Sequence, residues 1–409
     1  MMRTHLKLAA LLLLAASAGV ANLAQAHDGA SHHHETAAAC ASSELACASV
    51  ATGAFAPDGK LWLTWSAGGR ISIASSPDLG KTFSTPVTLP ATKLPLDDGP
   101  DARPKLAFGP NDRVAVTYAS RDEKYNGHAF IARSADGGKT FSEPQPITTG
   151  SPSQRFETAA FDPNGRVFVA WIDKRNVAAA KKQGKKYAGA ALAYAWDDKP
   201  GGALEAASIA RDNSCECCRI AVAFKSSGEP VVMFRNIFDG GIRDHATITF
   251  SDAGKPGQLY RVSEDDAKID ACPHQGPSLA IGSDGAYHAT WFALGRKLKG
   301  VYYAHSEDGG KTFSEPLRIG DQSAQISRPY VLAAGGTVYL AYKSFDGEKT
   351  SIDLMTSHDG GRTWSKPRTV ASAANASDHP LLIAQQASVY LSWLTTKEGY
   401  RLIPLEPQS

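Results

Sequence analysis

The sequence predicts an all-β fold, a β-propeller built from four-stranded antiparallel blades. Three observations support this prediction. An octapeptide recurs four times, short strands with alternating apolar residues flank its copies, and no helical period is evident between them. Four short antiparallel strands recurring about every 50 to 60 residues are typical of propellers.

The octapeptide has the pattern Ser-x-Asp-x-Gly-x-Thr-Phe/Trp. Its aspartates at 78 and 136 are 58 residues apart, and those at 308 and 359 are 51 residues apart. A tight hairpin explains the pattern, because Ser and Asp side chains bond nearby backbone amides, glycine accepts positive φ and the aromatic ring packs beneath the turn. The copies cover 76–83, 134–141, 306–313 and 357–364.

This octapeptide resembles the Asp-box, or BNR repeat, of the sialidase-like β-propellers. The resemblance covers residues 50 to 370, and the extension to the C-terminus depends on the strand pattern alone. It implies six blades, whereas the module starts predict six complete modules and a three-stranded remainder. We therefore expect six or seven blades in a single domain over 49–409. The module starts lie near Val50, Arg103, Phe156, Arg219, Gly276, Arg328 and His379.

The first residues predict a cleaved secretory signal over 1–26. Basic residues precede an apolar run from Leu8 to Val20, and Ala24-Gln25-Ala26 has the small-residue pattern of a cleavage site. The run is shorter than the roughly 20 residues of a membrane-spanning helix. We expect a monomeric periplasmic or secreted protein without a membrane span, which begins at His27 and has a His- and Cys-containing segment over 27–48.

Charge gives no reason to expect a nucleic-acid partner. The signal carries two of the 43 Lys and Arg residues and none of the 41 Asp and Glu residues, so the remaining chain is formally neutral. The expected partners are a metal ion and a periplasmic or outer-membrane protein.

Residues just before the innermost strand of each module are expected to surround one mouth of the central channel, because equivalent positions of a propeller converge. Five of the six cysteines lie at or near this phase of the repeat, which scattered disulfides would not require. The positions in this phase are Cys47, Asp101, Arg103, Arg155, Glu157, Cys215–Arg219, Asp270–Gln275, Arg328 and Asp378–Pro380.

A soft-metal site is the first hypothesis for this mouth. A Cys-x-Cys-Cys run followed by Cys-x-His supplies thiolate and imidazole ligands from adjacent modules, which suits Cu(I) and, less well, Zn(II). The amine and imidazole of His27 can chelate copper, and His32 to His34 form a metal-binding type of tract. The proposed ligands are Cys215, Cys217, Cys218, Cys272, His274 and His27.

Disulfide bonds are the alternative explanation of the cysteines. In an oxidising compartment, Cys40 could pair with Cys47, and the 215–218 cluster with Cys272. A Cys217–Cys218 bond would be strained, so at least one partner would come from elsewhere.

The resemblance implies a further hypothesis, exo-sialidase activity. Sialidases use three arginines to hold the sugar carboxylate, an acidic acid/base and a Tyr–Glu nucleophile pair. The candidates here are Arg103, Arg155, Arg328, Glu157 and Tyr330, with Asp101, Arg219 and Asp270 nearby. The Arg-Ile-Pro opening of that family is replaced by Ala102-Arg103-Pro104, which leaves the assignment open. A third hypothesis is a propeller that binds a glycan or a protein without chemistry.

Overall fold

The computed structural model describes residues 42–405, apart from 188, 252–253, 269–274 and 322. This part of the chain is nearly all-β, as the sequence predicts, and its strands form a series of antiparallel meanders that we call modules 1 to 7. Modules 3 and 4 are joined in one sheet through a single pairing between Ser214 and Asn236. No helix in the described ranges has the length and apolar character needed to cross a membrane.

The first three modules contain thirteen strands and a short helix. Module 1 comprises β1 Val50–Phe55, β2 Leu61–Ala67, β3 Arg70–Ser76 and β4 Val87–Thr88. Module 2 comprises β5 Leu96–Asp97, β6 Lys105–Phe108, β7 Val114–Arg121, β8 Gly127–Ser134 and β9 Gln145–Pro146. Module 3 comprises β10 Gln154–Phe161, β11 Val167–Asp173, helix α1 Arg175–Lys182, β12 Ala190–Trp196 and β13 Ser208–Ser214.

The remaining modules repeat the same order. Module 4 comprises β14 Ala221–Phe224, β15 Pro230–Phe238, β16 Ile242–Phe250 and β17 Pro256–Arg261. Module 5 comprises β18 Ser278–Ile281, β19 Tyr287–Leu294, β20 Lys299–Ser306 and β21 Leu317–Ile319. Module 6 comprises β22 Gln325–Ala334, β23 Thr337–Phe345, β24 Thr350–Ser357 and β25 Arg368–Ala373. Module 7 comprises β26 Leu381–Gln385, β27 Ser388–Thr395 and β28 Gly399–Pro404.

Each octapeptide forms the same hydrogen-bonded turn, which begins at the last residue of β3, β8, β20 or β24. In module 2, Ser134 Oγ donates to Asp136 Oδ1 across 2.7 Å, and the Gly138 amide donates to Ser134 Oγ across 2.9 Å. Thr140 donates its amide to Oδ1 and its hydroxyl to Oδ2 of Asp136. These hydrogen bonds hold the pKa of Asp136 well below its usual value.

Glycine is required at the fifth position of this turn. Gly138 has a φ of +84°, and a Cβ atom there would lie 2.9 Å from the ring of Trp62 in module 1. The turn of module 2 is therefore pressed against a neighbouring module, where a side chain would both strain the backbone and clash. The octapeptides thus have a structural role at contacts between modules.

Four fully buried tryptophans occupy the second strand of the odd-numbered modules, at Trp65, Trp171, Trp291 and Trp393. Each indole also donates a hydrogen bond, because a buried Nε1–H needs an acceptor. Trp171 donates to Asp173 across 2.8 Å, and Trp291 donates to Asp265 across 2.9 Å. The tryptophans thereby combine core packing with the positioning of loop residues.

The first and last modules contact each other. The amide of Ala51 donates to Asp378 Oδ2 across 3.3 Å, and the side-chain amide of Gln385 donates to the carbonyl of Gly59 across 2.6 Å. Leu394 packs in the same apolar cluster as Trp65. These contacts join residues more than 300 positions apart in the sequence.

Helix α1 is a feature that the sequence analysis missed. The Lys-rich segment at 181–186 begins inside this helix, because its first two residues complete the last turn of α1. Lys181 and Lys182 there lie at the helix C-terminus, where positive charge is favourable.

Candidate functional site

A cluster of three buried thiols lies between β13 and β14. Cys215 follows β13 directly, and its amide donates to the carbonyl of Arg235 across 2.8 Å. The following turn places Cys217 and Cys218 beside it, so that the Sγ atoms all lie within 4.8 Å of one another. The Cys215 sulfur lies 3.4 Å from that of Cys217 and 3.7 Å from that of Cys218. All three are free thiols with 1 to 2% of their surface exposed.

Two guanidinium groups contact the sulfurs. Nη1 of Arg235 donates to Cys218 Sγ across 3.6 Å, and Nη1 of Arg243 donates to Cys215 Sγ across 3.6 Å. The second Arg235 nitrogen, Nη2, donates to the carbonyl of Phe292 across 3.0 Å. Arg235 is 1% exposed, so its positive charge lies in the protein interior next to the thiols.

Hydrogen bonds within the cluster favour a thiolate at one of its members. The thiols of Cys217 and Cys218 donate to Cys215 and hold its pKa well below the usual value, and Arg235 adds to this effect. The pKa of Cys217 is raised, and that of Cys218 is raised to about 12, because they share their protons with Cys215 and are buried. The cluster therefore resembles one thiolate that accepts hydrogen bonds from two thiols.

His245 lies next to this cluster and was not identified from the sequence. It is the cross-strand partner of Arg235, is fully buried, and has no hydrogen-bond partner for either ring nitrogen among the described residues. Burial and the nearby Arg235 hold the pKa of its ring well below the usual value. It lies within an ordinary alternating strand, and no signal in the sequence distinguishes it from a core histidine.

The structure describes only some of the other residues that were expected to be metal ligands or to form disulfides. Cys272, His274 and His27 lie outside the described residues, as do Cys40 and Asp270. Cys47 is disulfide-bonded. The alternative of a disulfide from the 215–218 cluster does not hold in this structure, because all three of its cysteines are free.

A second cluster of charged groups surrounds Asp101, whose Oδ1 lies 2.9 Å from Nε of Arg219 and 2.9 Å from Nη1 of Arg328. The ring of His379 lies 4.0 Å from the same oxygen. These residues come from modules 2, 4, 6 and 7, at the position just before or at the start of the innermost strand. Equivalent positions of the repeat therefore meet, as a propeller requires. We call this group the axial cluster.

Arg103 and Asp378 extend the axial cluster into the interior. They form a buried ion pair, and Arg103 also donates to the carbonyl of Ala51 across 3.1 Å. Lys343 donates to the carbonyl of Ser377 across 3.0 Å, and burial lowers its pKa to about 8. Positive charge is therefore in excess around the axial cluster. Its four cationic side chains are Arg103, Arg219, Arg328 and Lys343, and its two carboxylates are Asp101 and Asp378.

The remaining candidates of the sialidase hypothesis are Tyr330, Glu157 and Arg155. Tyr330 lies in β22, where burial raises the pKa of its hydroxyl and the charges of Arg103 and Arg219 in the axial cluster act in the opposite direction. Glu157 is fully buried and accepts from Lys105 Nζ across 3.1 Å. Arg155 places its guanidinium over the ring of Phe156, 4.9 Å from the centroid. Glu157 and Arg155 thus have contacts of their own, whereas Arg103 and Arg328 belong to the axial cluster.

The thiol and axial clusters are adjacent, because the peptide bond between Cys218 and Arg219 joins them. The same short turn before β14 therefore supplies a thiol to one cluster and a guanidinium to the other. In the sequence, the order Cys-x-Cys-Cys-Arg at 215–219 was the one feature that pointed to both clusters at once.

Comparison with known proteins bears on the fold. No protein-family profile matches the chain, and no curated protein matches it. Among solved structures, a polysaccharide lyase described as an ulvan lyase is similar, with a TM-score of 0.57, 11% identity, and coverage of 86% of this chain and 91% of that chain. A protein of unknown function from Dyadobacter fermentans has a TM-score of 0.51 and 14% identity, with coverage of 74% and 92%.

A sialidase from Trypanosoma rangeli is similar at a TM-score of 0.45 and 13% identity, with coverage of 75% of this chain and 54% of that chain. At these identities the lyase and the Dyadobacter protein show that this chain shares their fold, and they assign no activity to it.

Proposed function

We propose that the thiol cluster binds one soft metal ion, Cu(I), as the cargo of a periplasmic metal-handling protein. The observation that carries this proposal is the set of three free, buried thiols whose sulfurs lie within 4.8 Å of one another. Thiolate is the ligand that Cu(I) prefers, and a turn that already holds three sulfurs together needs little rearrangement to coordinate one ion.

Charge balance favours a monovalent ion. Three thiolates with one Cu(I) carry two negative charges, which the guanidiniums of Arg235 and Arg243 offset at 3.6 Å from the sulfurs. A buried site is stable only when its charges are compensated. Zn(II) would leave one positive charge in excess and prefers four ligands in a tetrahedron, whereas the described residues supply three sulfurs.

Metal analysis of untagged protein from periplasm tests this proposal. We expect close to one copper per chain by mass spectrometry, and a loss of that copper in Cys217→Ser. Ser226→Ala, an exposed change in the turn between β14 and β15, is the matched control and should keep its copper. Protein that carries no metal and takes up none when supplied with Cu(I) would refute the proposal.

A second candidate function is action on, or binding of, a glycan at the axial cluster. The neighbouring folds support this candidate more directly than they support metal handling, because the lyase named above acts on a polysaccharide. The excess of positive charge around Asp101 would suit an acidic sugar. Asp101 already lies between Arg219 and Arg328, however, so a substrate carboxylate would have to compete with it.

A fluorogenic sialoside and an ulvan oligosaccharide test this second candidate. Turnover or binding that is lost in both Arg328→Ala and Arg219→Ala, but retained in Cys217→Ser, would support a glycan site at the axis. Equal behaviour of these arginine variants and the unmodified protein would exclude it.

A further inference from the structure

A cleft outside both clusters opens between modules 3 and 4. Strand β13 and strand β15 meet at the single pairing of Ser214 with Asn236 and diverge beyond it. The space between them is a cavity of about 660 Å³, within the range of small-ligand sites. Its walls come from residues 209–213 of β13, 236–238 of β15, and Asp239, Ile242 and Arg261.

Two buried polar atoms at the pairing where the two strands meet have no hydrogen-bond partner among the described residues. Asn236 lines the cleft with 3% of its surface exposed, and its Oδ1 has no hydrogen-bond partner in the part of the chain that the structure describes. The hydroxyl of Ser214, its cross-strand neighbour, is fully buried and has no partner there either. Cross-strand partners share a face of a sheet, and a buried polar group without a hydrogen bond is costly.

The rim of the cleft is held in place by its own contacts. Asp212 accepts from the hydroxyl of Tyr187 across 2.6 Å and from the side-chain amide of Asn176 in α1. Arg261 stacks over the ring of Phe238 at 4.6 Å and donates to Asp244 across 3.1 Å. The cleft therefore has a fixed shape, which reduces the entropic cost of binding.

The charges of the cleft argue against an anionic ligand. The charge of Arg261 is offset by Asp244, which leaves the exposed Arg211 against the carboxylates of Asp212 and Asp239. The walls of the cleft thus carry net negative charge, which would repel an anion, whereas the axial cluster carries net positive charge. Hydroxyl groups can both donate to carboxylates and amide oxygens and accept from a guanidinium.

We propose that this cleft binds a neutral, hydroxyl-rich ligand, a sugar unit without acidic groups. Asn236 contacts its hydroxyls where the two strands meet, and Asp239 and Arg211 contact them at the rim. The apolar surface of Ile237 and Ile242 packs against the ring carbons. The cleft begins beside the thiol cluster, because Asn236 follows Arg235 in β15, but it shares no residue with the thiol or axial clusters. The proposal is independent of the proposed function.

Saturation-transfer NMR with cellobiose, maltose and N,N′-diacetylchitobiose tests the proposal, with glucuronic acid as the anionic comparison. We expect binding of at least one neutral disaccharide, weakened roughly tenfold or more in Asn236→Leu and in Asp239→Ala. Asp239 is exposed at the rim, so its variant avoids the folding risk of the buried change. Asn375→Leu, an exposed asparagine after β25, should bind as the unmodified protein does.

Three outcomes would overturn the proposal: no binding of any neutral disaccharide, binding of glucuronic acid alone, or equal binding by the two cleft variants and the unmodified protein. Copper stoichiometry measured on the same samples separates this test from that of the thiol cluster, because the cleft variants leave all three cysteines in place.

Discussion

The guanidinium of Arg235 donates a hydrogen bond to the sulfur of Cys218 across 3.6 Å, in a site where Arg235 is 1% exposed and Cys218 is 1% exposed. A buried cation needs a nearby negative charge, and the cysteines and Asp265 are the groups that act on Arg235 electrostatically. The pair therefore places a positive charge beside the thiol cluster, where it helps to lower the pKa of Cys215.

Replacing this arginine should weaken metal binding. In Arg235→Leu we expect the affinity for Cu(I) to fall by roughly tenfold or more, because one of the two compensating charges is lost. Competition with a chromophoric Cu(I) chelator measures this. The exposed Arg70→Leu serves as the control, and an unchanged affinity in Arg235→Leu would show that the guanidinium plays no part in the site.

The axial cluster should become an anion site when Asp101 is removed. In Asp101→Asn, Arg219 and Arg328 lose their shared carboxylate and are left to repel each other. We expect sulfate to raise the melting temperature of this variant more than that of the unmodified protein, since an added anion replaces the missing charge. Thermal melts over a sulfate series test this, and parallel responses of the two proteins would contradict it.

The octapeptide turns should contribute to stability through their serines. Ser134 is buried and both donates to Asp136 and accepts from Gly138. Ser134→Ala leaves the Gly138 amide unsatisfied, so we expect a loss of about 1–3 kcal/mol in the free energy of unfolding. Denaturant titration measures it, with the exposed Thr149→Ala as a control that should stay within about 0.5 kcal/mol.

Acid should destabilise the fold through its buried histidines. Burial lowers the pKa of His288 from 6.5 to about 4, and its ring is bonded to the Tyr303 hydroxyl at 2.8 Å. The unfolded chain takes up this proton first as the pH falls, so stability is present above about pH 6.5 and is lost between there and pH 4.

His288→Gln should reduce this loss by up to roughly 3 kcal/mol, the equivalent of the shift in pKa. The test is the difference in unfolding free energy between pH 7 and pH 4.5, with His358→Gln, an exposed histidine, as the control. If His288→Gln showed the same acid sensitivity as the control, this histidine would not be a source of it.

The repeat made most of the fold predictable. The Ser, Asp, Gly and Thr of each octapeptide encode a local turn, and the turn recurs with a period that defines a module. The phase of the repeat also predicted that Asp101, Arg219 and Arg328 lie close together. Helix α1 was missed because its residues, Arg175–Lys182, form an insertion outside the repeat.

Tertiary contacts were harder to predict from the sequence than the repeat was. Arg235 and Arg243 lie inside strands β15 and β16, where alternation predicts only which face they occupy and not that their guanidiniums meet thiols. The Oδ1 atom of Asn236, which has no partner among the described residues, could not be predicted either, because its burial depends on how two modules join. Such positions arise from long-range pairing, which a local pattern does not encode.

The central claim is tested most directly by an anaerobic Cu(I) titration against a chromophoric chelator, run on the full chain and on Cys217→Ser. His27 and His32 to His34 are present in both proteins, so any difference between them reports on the thiols. We predict one tightly bound Cu(I) per chain in the unmodified protein and a loss of that binding in the variant. Equal Cu(I) binding by the two proteins would contradict the account.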